Sequence, residues 1–141
     1  MARSRRSDKK KSPDATPGAQ AVRLAIPNKG RISGPVNDLM EKSGLHLLDI
    51  GERRLVSRTP DPHVEILFAR PVDIPEYVAN GAADLGITGH DMVLERESDV
   101  SELLDLKIGS ASLVLAVRED AGFSSPGDLE GARVATEFPV I

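Results

Sequence analysis

Cysteine and tryptophan are missing from this 141-residue chain, and aromatic residues make up only 3% of it. Without cysteine there is no disulfide, no thiolate metal site and no cysteine nucleophile. With three phenylalanines and one tyrosine, the core has to be aliphatic. No apolar run approaches the roughly 20 residues of a membrane-spanning helix. No apolar stretch follows the basic N-terminus, so it does not read as a secretory signal, and an intracellular, cytoplasmic location is expected. The histidines at 46, 63 and 90 match no metal-ligand spacing. The G-x-S-x-G elbow of serine hydrolases, the Walker pattern and the G-x-G-x-x-G dinucleotide fingerprint are also missing.

What is present is a globular composition, 40% hydrophobic and 28% charged, in a length that suits one ordinary domain or an incomplete larger one. The net charge of −4 conceals two unlike parts. Residues 1–20 carry six Lys/Arg against two Asp, and residues 21–141 twelve against twenty Asp/Glu. The acidic body is a poor nucleic-acid surface. The basic tail has almost nothing to bury and is expected to be disordered. It reads as a solubilising extension or, alternatively, as a nucleic-acid contact.

V-R-L-A-I (22–26) has the signature of a short buried strand, broken by P-N-K-G-R (27–31). A helix is expected next, with Ser33 as cap, Pro35 in the first turn, Val36, Leu39 and Met40 on one face, and Gly44 as stop. E-R-R-L-V-S-R (52–58) reads as an edge strand, T-P-D-P-H (59–63) as a turn and V-E-I-L-F-A (64–69) as a second buried strand. Asp73 and Glu76 stand in capping-box relation before a helix over 74–80, with Gly81 as its stop. D-L-G-I (84–87) is a third strand, and T-G-H-D (88–91) leads into a brief helix. Further strands are expected at 102–106, 112–117 and 132–136, with one helical turn within 124–131. Strands alternating with short helices predict a mostly parallel α/β sheet, which binds ligands in the loops at the C-terminal ends of its strands.

Three breaks fall at such ends. In the first, Lys29 and Arg31 flank Gly30, whose lack of a side chain permits a tight or left-handed turn. The cations would face an anion beside a helix N-terminus; the plainer reading is a solvated basic turn. In the second, Arg70 ends an apolar strand, where a guanidinium can fork onto phosphate or carboxylate, and Asp73 reads first as a helix cap. In the third, N-G-A-A-D-L-G-I-T-G-H-D (80–91), there is little side chain. Gly86 inside the strand suggests that backbone or ligand lies close. Thr88 and the amides of Gly89 and His90 can donate to a ligand, Asp91 is a candidate contact or a first-turn acid, and His90 is a surface residue or a base.

Taken in order, A-I-P-N-K-G-R, A-R-P-V-D-I-P-E-Y-V, G-A-A-D-L-G-I-T-G-H-D, and L-D-L-K-I-G-S-A-S-L-V-L-A-V followed by R-V-A-T-E-F-P resemble the catalytic part of the ATP phosphoribosyltransferase family, over about residues 22–141. The resemblance implies an enzyme that joins ATP to phosphoribosyl pyrophosphate at the start of histidine biosynthesis. It implies an α/β fold like type II periplasmic-binding proteins, with a first domain nearly complete over 21–107 and a second, truncated one over 108–141. Lys29, Gly30, Arg31, Arg54, Arg70, Asp73, Thr88, Gly89 and Asp91 would contact ATP. Magnesium would arrive with the phosphates of both substrates, so no metal-ligating or catalytic residue is assigned. A homo-oligomer is the implied partner, and regulation would come either from an extra domain of the parent or from a separate regulatory subunit. The family's Gly- and Thr-rich phosphate loop has no match in 1–141, so the chain alone is expected to be inactive. The alternative is an intracellular small-molecule sensor domain of the same architecture.

Overall fold

The computed structural model describes residues 21–48 and 55–141. Its centre is β1 (Val22–Pro27), paired in parallel on both sides. On one side lies β3 (Val64–Ala69), with Val22 opposite Val64 and Pro27 opposite Ala69. On the other lies β4 (Leu85–Gly86), with Leu24 opposite Leu85 and Ala25 opposite Gly86. The short β2 (Val56–Arg58) runs antiparallel to β3 and completes the order β2-β3-β1-β4. It is the described part of the expected edge strand. Residues 1–20, with the basic tail, and Arg53 and Arg54 lie outside the described residues.

Parallel strands are covered on both faces, and β1 shows it: Ala25 and Ile26 are neighbours that point to opposite sides, yet both are fully buried. Helix α1 (Ser33–Lys42) sets Val36 and Met40 against Ile26 and Ile66, with Leu24, Leu45, Leu47, Val64, Phe68 and Ile87 around them. Helix α2 (Ile74–Ala79) covers the other face, setting Ile74 against Ala25, Ala69 and Ala83, flanked by Leu67 and Val78. Burying an isoleucine such as Ile26 or Ile66 completely contributes about 1.5–3 kcal/mol. The two faces differ in bulk, large aliphatics meeting α1 and alanines meeting α2. The short α2 therefore sits close to the sheet.

That closeness explains Gly86. A Cβ there would stand 2.5 Å from Ile74 Cγ2 and 3.0 Å from Val78 Cγ2. Of the neighbours the sequence suggested, another backbone or a ligand, the bare position makes room for the protein itself, in the form of side chains of α2. Two expected caps also differ. The N-cap of α1 is Ile32, without a side-chain cap, and Ser33 is already helical, its Oγ donating to Gly30 O at 2.9 Å. Asp73 is the N-cap of α2 by position, but its carboxylate makes no capping bond. Arg70 takes both of its oxygens instead. A complete capping box occurs at Ser125 and Asp128, opening the 3-10 turn Pro126–Leu129 within the expected 124–131 segment.

Helix α3 (His90–Arg96) ends at Glu97, which is left-handed at φ 48°. The strands expected at 102–106, 112–117 and 132–136 do not form among the described residues. Leu103, Leu104, Leu113, Val114, Leu115 and Val134 are exposed. Apolar β-formers become a strand only when a neighbour takes up their N–H and C=O groups. No described strand lies beside these segments to do so.

Gly86→Ala is expected to lower stability by about 1–3 kcal/mol through overpacking against α2. Gly34→Ala, in α1 with open space around it, should be neutral or slightly stabilising. Urea midpoints followed by circular dichroism compare them, and equal midpoints would contradict the packing account. The Asp128 carboxyl is held below its ordinary 3.8 because it accepts the backbone N–H groups of Ser124 and Ser125 and a bond from the Ser125 side chain. A lowered folded value means the turn's contribution is present above the ordinary carboxylate range and lost as pH falls through the folded value. In an NMR titration the Ser124 and Ser125 amides should move together with a midpoint below 3.8; a midpoint at or above it would refute the bonding.

Candidate functional site at the strand ends

Because β1, β3 and β4 are parallel, their C-terminal ends lie along one edge of the sheet. Pro27 is opposite Ala69. Continuing the pairing of Ala25 with Gly86 sets Thr88 level with Pro27. Asn28, Arg70 and Gly89 therefore begin the three loops in one row. The ladder persists past the strands: Asn28 N–H donates to Ala69 O and Ile87 N–H to Ala25 O, each at 2.9 Å.

The first loop turns at Gly30, where φ is +97° and nothing lies within 4 Å of a would-be Cβ. Glycine is needed here for the backbone angle. The N–H and Oγ of Ser33 both donate to Gly30 O, at 3.3 and 2.9 Å. Lys29 and Arg31 are exposed on either side, and among the described residues neither has an acidic partner within ion-pair distance.

In the second loop Arg70 is extended and a 3-10 turn, Pro71–Asp73, brings Asp73 back beneath it. Arg70 Nε donates to Asp73 Oδ2 at 2.6 Å and Nη2 to Oδ1 at 3.0 Å. This two-pronged bond, and then the charge of Asp73, raise the guanidinium's pKa above its ordinary value. Two of five N–H groups are engaged, so the others remain available at an exposed position. Asp73 acts here as the residue that orients Arg70.

The third loop is tied to the second. Thr88 Oγ1 donates to Pro71 O at 2.8 Å, which spans the end of β1 and holds the outer loops together. Gly89 is the N-cap of α3. A Cβ on it would collide with Asp91 Oδ1, so this glycine accommodates a carboxylate folded back over the helix start. Asp91 Oδ1 accepts from Met92 N–H at 3.0 Å. His90 points elsewhere, its Nδ1 lying 2.9 Å from Glu102 Oε2.

Of the residues singled out from the sequence, Lys29, Gly30, Arg31, Arg70, Asp73, Thr88, Gly89 and Asp91 thus belong to one row of loops, and Arg54 lies outside the described residues. Asp84 belongs to the opposite edge. Its carboxylate accepts Arg23 N–H at 2.7 Å where β1 begins. Sequence reasoning missed the bond between Thr88 and the carbonyl of Pro71, since a backbone acceptor leaves no residue-type signal. Among the described residues no three His, Asp or Glu side chains gather into a metal site, and no helix is long and apolar enough to cross a membrane.

The family model for HisG: ATP phosphoribosyltransferase matches residues 70–141, which include the second and third loops. A curated ATP phosphoribosyltransferase of Natronomonas pharaonis is 56% identical over 120 residues, covering 85% of this chain and 43% of that protein. That of Methanococcoides burtonii is also 56% identical over 120 residues, covering 85% of this chain and 42% of its own length. In the solved ATP phosphoribosyl transferase (HisG:HisZ) complex from Thermotoga maritima, a chain 30% identical superposes with a TM-score of 0.50 over 59% of this chain and 38% of that one. The chain spans less than half the length of these curated relatives. With a family model matching just over half of it and relatives more than half identical across most of it, the chain belongs to the ATP phosphoribosyltransferase family.

Proposed function

We propose that this chain supplies the ATP side of an ATP phosphoribosyltransferase, the cytoplasmic enzyme that opens histidine biosynthesis. In that reaction the bond from ribose C1 of phosphoribosyl pyrophosphate to its pyrophosphate oxygen breaks, and its electron pair leaves on pyrophosphate. The lone pair of adenine N1 of ATP forms the new C1–N bond. The observation that carries the reading is the row of loops in a member of this family, with Lys29, Arg31 and Arg70 exposed at one sheet edge.

Each side chain then has a part. Lys29 and Arg31 neutralise the triphosphate on either side of the left-handed Gly30 turn, where no side chain blocks close approach. Arg70, held in one orientation by Asp73, offers its remaining N–H groups to the nucleotide. Thr88 keeps the second and third loops at a fixed spacing. Gly89 and Asp91 form the rim, and the family resemblance adds Arg54, outside the described residues, as a further charge for the nucleotide. Such groups work by orientation and charge stabilisation, which suits a reaction that builds charge on a sugar and a leaving group. Magnesium would arrive on the nucleotide phosphates, held mainly by ligand oxygens, where it neutralises their charge.

The two-domain architecture of type II periplasmic-binding proteins, with a first domain over 21–107 and a second from 108, belongs to the same proposal. So do a homo-oligomer and a regulatory subunit; the Thermotoga maritima structure is itself of a complex of two kinds of chain.

A thermal-shift series tests the reading. Magnesium-ATP at about tenfold over its Kd should stabilise the chain by about 1.4 kcal/mol, a rise of about 3–6 °C. Lys29→Ala and Arg31→Ala should each weaken that binding about tenfold, the usual loss for a charge-assisted bond. Stabilisation by amino acids with none by ATP would overturn the reading in favour of a sensor domain.

A further inference from the structure

The basic turn is exposed and held mainly by bonds to its own Gly30 carbonyl, so its position depends on what its far end touches. That end is Ile32, half-buried, the residue between Arg31 and α1. Its carbonyl accepts the Val36 N–H at 3.0 Å and so starts the helix. Against its side chain lies Gly109, from a segment remote in sequence. A Cβ on Gly109 would collide with Ile32 Cγ2. Gly109 is also left-handed, at φ +72°.

The approach to Gly109 is shaped in advance. Asp105 Oδ1 accepts the Lys107 N–H at 2.8 Å, and the Lys107 ammonium pairs with the other oxygen. Lys107 is thereby held at φ 56°, a conformation that a lysine seldom adopts. Two left-handed residues, the first fastened by a side chain, turn the segment so that bare backbone meets Ile32.

We propose that Gly109 is a positioning residue for the basic turn. Through Ile32 it sets where Lys29 and Arg31 stand along the ligand edge, so that polyphosphate affinity depends on a residue that touches no ligand. The affinity part rests on the nucleotide reading above; the positional part does not.

Three variants of the 141-residue chain test it. Gly109→Ala adds both the collision and the unfavourable angle. Gly122→Ala is the control for the angle alone, since Gly122 has φ +74° with nothing within 4 Å. Ile32→Ala combined with Gly109→Ala removes the methyl that is struck. Ligand-free amide NMR should show Gly109→Ala displacing the resonances of residues 29–33, the double variant returning them towards their starting positions, and Gly122→Ala leaving them in place. By calorimetry with magnesium-ATP, Gly109→Ala should bind about fivefold more weakly, at the low end of coupling between linked elements, and the double variant should recover. Should Gly109→Ala fail to fold, Ile32→Ala alone must shift the Gly109 and Ser110 amides. Resonances of 29–33 unmoved in Gly109→Ala, or equally moved in Gly122→Ala, would overturn the proposal. Absence of ATP binding by the unsubstituted chain would sink the nucleotide reading alone, because the ligand-free shifts still decide the positioning.

Discussion

Parallel pairing of β1 on both of its edges is the constraint from which the rest of the molecule follows. A parallel pair cannot be closed by a tight turn, so each connection must cross a face of the sheet. α1 covers one face between β1 and β3, and α2 covers the other between β3 and β4. Consecutive residues Ala25 and Ile26 are both removed from water as a result. The same pairing sends three chain reversals to one edge, whatever residues occupy them. The row of loops at that edge is thus a by-product of burying β1.

The glycines illustrate how one residue type answers different demands. Gly30 is set by its backbone angle in open space, Gly86 by the methyl groups of Ile74 and Val78, and Gly89 by the Asp91 carboxylate. Of these three, only Gly30 has open space where a side chain would stand. The lean stretch 80–91 therefore reflects the closeness of α2 at Gly86 and a folded-back carboxylate at Gly89, more than an open cleft. Helix packing and ligand approach place the same demand on sequence, a missing side chain, and only the neighbouring atoms tell them apart.

Charge is distributed along the edge with similar economy. Asp73 serves Arg70 and leaves the start of α2 without a side-chain cap. A carboxylate gains more from a two-pronged charged bond than from one neutral N–H. Arg70 is exposed and Asp73 half-buried, so water still reaches the guanidinium and their pairing directs it more than it stabilises the fold. The neutral Thr88–Pro71 bond joins loops that charge alone would leave independent.

Much of this was legible in the residues themselves. The β-branched and aliphatic runs 22–26 and 64–69, the helix with Pro35 in its first turn and the stop at Gly81 depend on local preference and periodicity, which the chain carries wherever it goes. The ordered motifs likewise pointed to the family. What only the tertiary structure decided was partnership: which carboxylate Arg70 takes, which helix excludes a side chain at 86, which distant glycine meets Ile32. It also decided that the apolar runs at 102–106, 112–117 and 132–136 remain unpaired among the described residues. A strand or an ion pair is a relation between two segments, and its energy appears only when the second brings its hydrogen-bonding groups within reach. Local sequence specifies what each segment is able to do, whereas the contact that realises it belongs to the folded arrangement.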